Sequence, residues 1–181
     1  DGQMVLFCFK PENEKSFHLY EINLDGTGLR QLTDSDYDDI DPIYLPDGHI
    51  LFSTSRGHTY VRCMPPTNAY VLARCRRDGS NIYLISRNNE PDYLPSVMND
   101  GRVIYTRWEY TERPLWRLQK LWTINPDGTM KWANPVELDG IGARPALGQS
   151  ALFVGTGLGT VYSINPATGS SVYVHPTSRV V

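Results

Sequence analysis

Apolar and polar residues alternate along this chain in short runs, and the runs recur in a fixed order. Strict alternation over a few residues predicts a half-buried strand rather than a helix face. One strand text reads Met4-Val-Leu-Phe-Cys-Phe9, then His49-Ile-Leu-Phe-Ser-Thr54, Arg102-Val-Ile-Tyr-Thr-Arg107 and Ala151-Leu-Phe-Val-Gly155. A second reads His18-Leu-Tyr-Glu-Ile-Asn23, Ala69-Tyr-Val-Leu-Ala-Arg74, Lys120-Leu-Trp-Thr-Ile-Asn125 and Thr160-Val-Tyr-Ser-Ile-Asn165. A third follows a turn, at Leu29–Thr33, Asn81–Ser86, Met130–Trp132 and Ser171–Val174. A fourth precedes each next unit, at Pro42–Leu45, Leu94–Val97 and Arg144–Leu147. Four units are visible, the first without its opening strand.

The turns set the period. Asp-Gly pairs stand at 25–26, 47–48, 78–79, 100–101 and 127–128, each between strand texts, a strong hairpin signal. The corresponding glycines Gly26, Gly79, Gly128 and Gly169 are separated by 53, 49 and 41 residues. A period on the order of 45 is the length of a four-stranded propeller blade. The chain is therefore expected to be all-β: a β-propeller of about four four-stranded blades, with units near 1–40, 41–91, 92–142 and 143–181 in a single domain of 181 residues. The tail Thr177–Val181 is β-prone and would supply the missing opening strand, which leaves no open edge. Alternatively, the chain is a piece of a larger propeller.

Two passages carry a family resemblance. His18–Thr33 followed by Asp38–Arg56 resembles a TolB-type propeller blade, and Arg87–Thr111, with its Arg-Trp-Glu-Tyr-Thr stretch, resembles the propeller of the hydrazine synthase alpha subunit and its planctomycete-type relatives. The last unit, Ala151–Gly169, is similar to pyrroloquinoline-quinone-type repeats. The resemblance implies an extracytoplasmic propeller. Its alternative implication is a subunit or fragment of a redox enzyme that uses haem c or a transition metal. Haem c attachment takes Cys-x-x-Cys-His, and this chain has no such motif, so any haem or metal would come from other segments.

Composition narrows the classes. Seventeen Lys and Arg against 20 Asp and Glu leave a formal charge of -3, without the basic excess that phosphate neutralisation needs, so no nucleic-acid partner is expected. No apolar run approaches the roughly 20 residues of a membrane span. The start Asp1-Gly2-Gln3 shows no basic and apolar leader, so no signal peptide is read in the given chain. Eleven Tyr, 15 Gly and 13 Pro agree with strands and tight turns. No Gly-x-Ser-x-Gly elbow and no Asn-x-Ser/Thr acceptor occurs, and Gly155–Gly159 reads as a hairpin rather than a dinucleotide loop.

Candidate chemistry gathers on two insertions at the same place in the repeat, 56–67 and 107–119. Function on repeat folds favours such insertions. His58, Tyr60, Arg62, Arg107, Trp108, Glu109, Tyr110 and Arg113 would line one ligand-binding pocket, or alternatively serve as blade packing with paired charges. Cys63 and Cys75 are a disulfide candidate, and with His58 the alternative is a zinc or copper site; Cys8 reads as core. The acidic run Asp34–Asp41 fails the calcium-loop pattern, with Asp39 in the glycine position and Leu45 in the bidentate glutamate position. It reads as a solvated inter-blade loop, with Glu90 and Asp92 repeating the acidic position. These features point to a binding or scaffolding module with no cofactor of its own, recognising a partner protein or small ligand through the two insertions. Self-association or a larger complex fits the same reading, and no complete catalytic motif marks an enzyme.

Overall fold

A computed structural model describes residues 2–62, 66–109, 119–129, 136–138 and 145–176, with backbone alone at 136–137 and 172–176. Every regular element in these residues is a strand. The first sheet runs β1 (Met4–Phe9), β2 (His18–Asn23), β3 (Arg30–Gln31). The second runs β4 (Asp39–Tyr44), β5 (Ile50–Tyr60), β6 (Asn68–Cys75), β7 (Tyr83–Leu84). The third is β8 (Asp92–Val97), β9 (Val103–Trp108), β10 (Gln119–Ile124), β11 (Val136–Glu137), and the fourth β12 (Ala146–Leu147), β13 (Leu152–Gly155), β14 (Thr160–Ile164), β15 (Ser171–Pro176). Each sheet is an antiparallel meander in sequence order, the form of a propeller blade.

The chain divides into two compact units, 1–93 and 94–181. In the first, Leu19, Leu32, Ile50, Phe52, Ala73 and Cys75 form one buried cluster from both of its sheets. In the second, Ile104 and Leu121 meet Leu152, Val154 and Ile164 in the same way. Alternation explains both: neighbouring residues of a strand face opposite sides, so each apolar text buries one row.

The Asp-Gly turns share one geometry. Gly26, Gly48, Gly79, Gly101 and Gly128 have φ between +82° and +90°, and each donates its N–H to the carbonyl three residues back. The aspartate before each glycine accepts the N–H two residues on, as Thr27 to Asp25 and Ser80 to Asp78, both at 2.9 Å. Asp-Gly here therefore fills the end of a turn closed by a left-handed glycine, not the two central places of a two-residue hairpin.

Three expectations need correction. The third strand type is two residues long in β3 and β7, and Met130–Trp132 lies outside the described residues, with β11 at Val136–Glu137 instead. The segment 56–60 is not loop but the end of β5, which is 11 residues long. The acidic run is not a solvated loop throughout, because Asp39 opens β4 with a fully buried side chain. The opening-strand role expected of 177–181 lies outside the described residues. Among those residues no strand lies beyond β1, and Val5 is 42% exposed where its repeat equivalents Ile50 and Val103 are 0%.

Candidate functional site

The long β5 explains why the first unit has a cleft. Its pairing with β6 is regular to Thr54, shifts between Thr54 and Thr59, and resumes at Thr59↔Ala69 and Tyr60↔Asn68. Gly57 and His58 fall in that irregularity, and His58 takes a left-handed φ of +52°. Bulges re-aim side chains and often border sites.

Asp38 and Asp39 anchor this bend. Thr54 donates to Asp39 Oδ1 at 2.7 Å and Arg56 donates to Asp39 Oδ2 at 2.7 Å and to Ser35 Oγ at 2.9 Å. Asp38 accepts from Phe17 N at 2.9 Å and from the Tyr70 hydroxyl at 2.9 Å, and its own N–H donates to Ser55 Oγ at 2.9 Å. Burial, followed by the hydrogen bond to and charge of Asp38, pushes the Tyr70 hydroxyl well above its ordinary value. These carboxylates serve the fold. Asp92 repeats the Asp39 position, also 0% exposed, and accepts from Ser86 at 2.7 Å and Asn88 at 3.2 Å. The structural reading of that repeated position agrees with both networks.

A cleft of about 450 Å³ opens beside the bend. Gly57 and Thr59 of β5, Val71 of β6 and Leu84 of β7 form part of its wall, and Ser86, Arg87, Asn88 and Asn89 supply the rest. Its size is that of a small-molecule site, and apolar and polar groups share the lining. Thr59 Oγ1 is closed off from solvent and has no hydrogen-bond partner, so Thr59 meets the cleft through other atoms.

The sequence candidates divide between the two units. His58, Tyr60 and Arg62 share the β5–β6 hairpin. His58 stands edge-on to Tyr37, with ring centroids 5.0 Å apart and Nε2 3.2 Å from the Tyr37 hydroxyl, while Arg56 covers the Tyr37 ring at 5.1 Å. Tyr60 is 59% exposed. Arg62 Nε lies 3.7 Å from Oε1 of Glu90, a carboxylate almost wholly buried. In the second unit, Arg107 stacks over Trp122 at 5.0 Å and Tyr105 at 5.7 Å, and Glu109 pairs with Lys120 at 2.9 Å; Trp108 is half-buried at the end of β9. Those contacts are the packing alternative for Arg107 and Glu109. Tyr110 and Arg113 lie outside the described residues. Thr59 lies in the insertion 56–67 but was not singled out there, and Arg87, Asn88 and Asn89 were missed: the signal for these three was the run of polar residues after β7, read only as family text.

Among the described residues no three His, Cys, Asp or Glu side chains converge as metal ligands. Cys63, which both the metal alternative and the disulfide require, is outside those residues. Cys75 is a free thiol, fully buried at the Ile50 end of the hairpin, away from the Tyr60↔Asn68 end. Burial first, and then the charges of Asp39 and Asp78, push it up to about 12. Cys8 is half-buried against the same cluster. In a Cys8→Ser, Cys63→Ser variant, Cys75 is therefore expected to resist a thiol reagent such as Ellman's at pH 8 for hours and to react fully within minutes in denaturant. Rapid reaction in the native variant would contradict this burial.

No family model matches the chain, and no curated protein matches it. Solved structures do. Hydrazine synthase of Kuenenia stuttgartiensis matches over 99% of this chain with a TM-score of 0.75 at 17% identity. TolB from Acinetobacter baumannii matches over 92% with a TM-score of 0.64 at 13% identity, and a nidogen/laminin complex over 96% with a TM-score of 0.65 at 12% identity. The chain spans 32% of the hydrazine synthase chain, 39% of that TolB chain and 59% of the chain matched in the nidogen/laminin complex. The strand meanders and these likenesses together establish its fold as that of the β-propellers of the TolB and hydrazine synthase type.

Proposed function

We propose that this chain is the recognition part of an extracytoplasmic β-propeller, and that the β5–β6 hairpin with its adjoining cleft is the surface that does the recognising. The observation that carries this reading is the cleft itself, walled by a strand extension that β1, β9 and β13 lack. The hairpin is held from behind by Asp38 and Asp39, so the cleft is preformed and loses little entropy on binding. The second insertion, 107–119, belongs to the other unit and is a separate candidate recognition element, of which Trp108 closes β9. Binding needs no cofactor of this chain's own. The TolB likenesses support an extracytoplasmic location, and the nidogen/laminin likeness supports a protein as one kind of partner. No helix of the described residues is long and apolar enough to cross a membrane.

The test is a nuclear magnetic resonance screen of isotope-labelled protein against a panel of polar metabolites. Shifts are expected to cluster on Gly57, Thr59, Asn88 and Asn89 and to fall at least tenfold in apparent affinity in a Tyr60→Ala, Asn89→Ala variant whose spectrum is otherwise intact. Binding that ignores those substitutions, or a panel with no hit in the cleft, would overturn the reading.

The fit to hydrazine synthase over 99% of the chain supports a second reading, a segment of a redox complex. The residues here do not fit a haem c, since the attachment motif is missing, so that group would be held by other segments. A Soret band in the purified native assembly, and its absence from this chain alone, is the result that reading requires.

A further inference from the structure

Within each unit, one sheet lays an apolar face on the sheet before it. Ile50 and Phe52 of β5 and Ala73 and Cys75 of β6 are buried against Leu19 and Leu32 of the first sheet, with Leu6 and Cys8 beside them. Leu152, Val154 and Ile164 of the fourth sheet are buried in the same way against Ile104 and Leu121 of the third. The repeat thus gives a sheet two faces. A leading face, the side of Ile50 or Leu152, rests on the sheet before, and a trailing face, the side of Leu6 or Ile104, receives the sheet after.

The leading face of the first sheet is open to solvent. Its Val5 and Phe9 are 42% and 51% exposed, where the aligned Ile50 and Thr54 of β5 are fully buried. Phe7, between them on the same face, stacks on Tyr20 with ring centroids 5.8 Å apart, and Phe9 meets that ring edge-on at 5.9 Å. The exposed residues therefore belong to one aromatic patch, the kind that marks an interface. At the other end of the repeat, Phe153 stands on the trailing face of the fourth sheet, in the place of Leu6 and Ile104. It is 40% exposed where Ile104 is fully buried, and its register partner Ala146 is exposed as well. One chain thus presents both halves of the contact that each unit uses inside itself.

We propose that the chain self-associates head to tail: the Val5, Phe7 and Phe9 face of one copy rests on the Phe153 face of a second, and two copies close one ring. The occupant is a second copy because the face that each patch needs is one this chain itself presents. A contact between two unlike faces is heterologous, and it either closes into a ring or runs on as a filament. Two copies bring eight sheets, the upper end of the roughly four to eight blades of known propellers, and a third would exceed it. This association goes beyond the recognition reading and does not depend on the cleft.

Sedimentation velocity of the full chain over a range of concentrations is expected to show a dimer, twice the 20.5 kDa of one chain, and nothing larger. Phe9→Glu and Phe153→Glu sit at exposed positions of the single chain, so each should leave its far-ultraviolet circular dichroism unchanged. Each should weaken dimerisation at least about a hundredfold, because the contact would bury a carboxylate among apolar groups. Mixing the two variants should restore a weaker dimer, since the Phe153→Glu copy keeps its leading face and the Phe9→Glu copy keeps its trailing face. A contact between like faces allows no such rescue. A monomer at every concentration, a dimer indifferent to either substitution, a mixture that stays monomeric, or an open-ended ladder of oligomers would overturn the proposal.

Discussion

Changing Arg30 and Arg77 together to alanine is expected to cost about 3–5 kcal/mol, more than changing Glu21 to glutamine, although Glu21 is the residue at the centre. Glu21 lies in β2 with its side chain 0% exposed. It accepts from the Tyr44 hydroxyl at 2.6 Å, from Arg77 at 3.3 Å and from Arg30. Both arginines are nearly half exposed, at 48% and 45%. Deleting the carboxylate's charge returns two arginines to water, which is cheap. Deleting the arginines leaves a carboxylate buried with only a tyrosine for company, and an uncompensated buried charge is what makes broken pairs expensive. Urea denaturation of the two variants should therefore rank them in that order, with the double alanine variant lowering Tm by roughly 10 °C. The reverse ranking would mean that the arginines stabilise nothing beyond their own contacts.

The same site fixes a pH dependence. Burial pushes the Glu21 carboxyl up, but the hydrogen bonds from Tyr44 and Arg30 and the charges of Arg30 and Arg77 outweigh it and hold the group below its ordinary 4.5. A folded-state value below the unfolded one contributes stability that is full above 4.5 and is lost as pH falls through the lower, folded value. Stability of the native chain should fall on that acid side. Glu21→Gln should flatten that part of the curve.

The repeat was legible because its carriers are local. Alternating texts fix strands, and an Asp-Gly pair fixes a turn through the conformational freedom of one residue and the hydrogen bond of the one before it. Strand extent was less legible, since it depends on what lies alongside: β5 runs on to Tyr60 because β6 is there to pair with Thr59 and Tyr60, and nothing in Arg56-Gly57-His58 says so. The acidic run misled for a related reason. Asp39 looks like a loop residue until Thr54 and Arg56, 15 and 17 positions away, supply its partners. Leu94 shows the limit most sharply. It takes φ +54° just before Pro95, as Asp41 does at +53° before Pro42, and a leucine carries no signal for a left-handed backbone. Half of the cleft was in view for the same local reason, since His58 and its neighbours sit on a recognisable insertion. The other half, Arg87 to Asn89, reaches it only through the sheet.

Gly79→Ala should be among the most damaging single substitutions in the first unit, and Gly48→Ala is the control that shows why. The two glycines close equivalent turns with φ of +84° and +83°. Any L-residue there meets the left-handed penalty of about 1–2 kcal/mol. At Gly48 that is all, because a Cβ would project into open space. At Gly79 the added carbon would overlap the backbone carbonyl of Leu32, whose N–H is itself bonded to Leu19 O at 2.8 Å. A backbone carbonyl on a residue whose N–H is bonded to β2 cannot swing aside as a side-chain tip can. The turn must open or the β2–β3 pairing must shift, and the cost rises to about 2–5 kcal/mol. Leu32 also belongs to the buried cluster with Leu19 and Phe52, so the disturbance reaches the core. Calorimetry should find Gly79→Ala unfolding well below Gly48→Ala. Equal melting temperatures would mean that the turn and the Leu32 strand are not pressed together, and that the first unit owes less to this contact than its geometry implies.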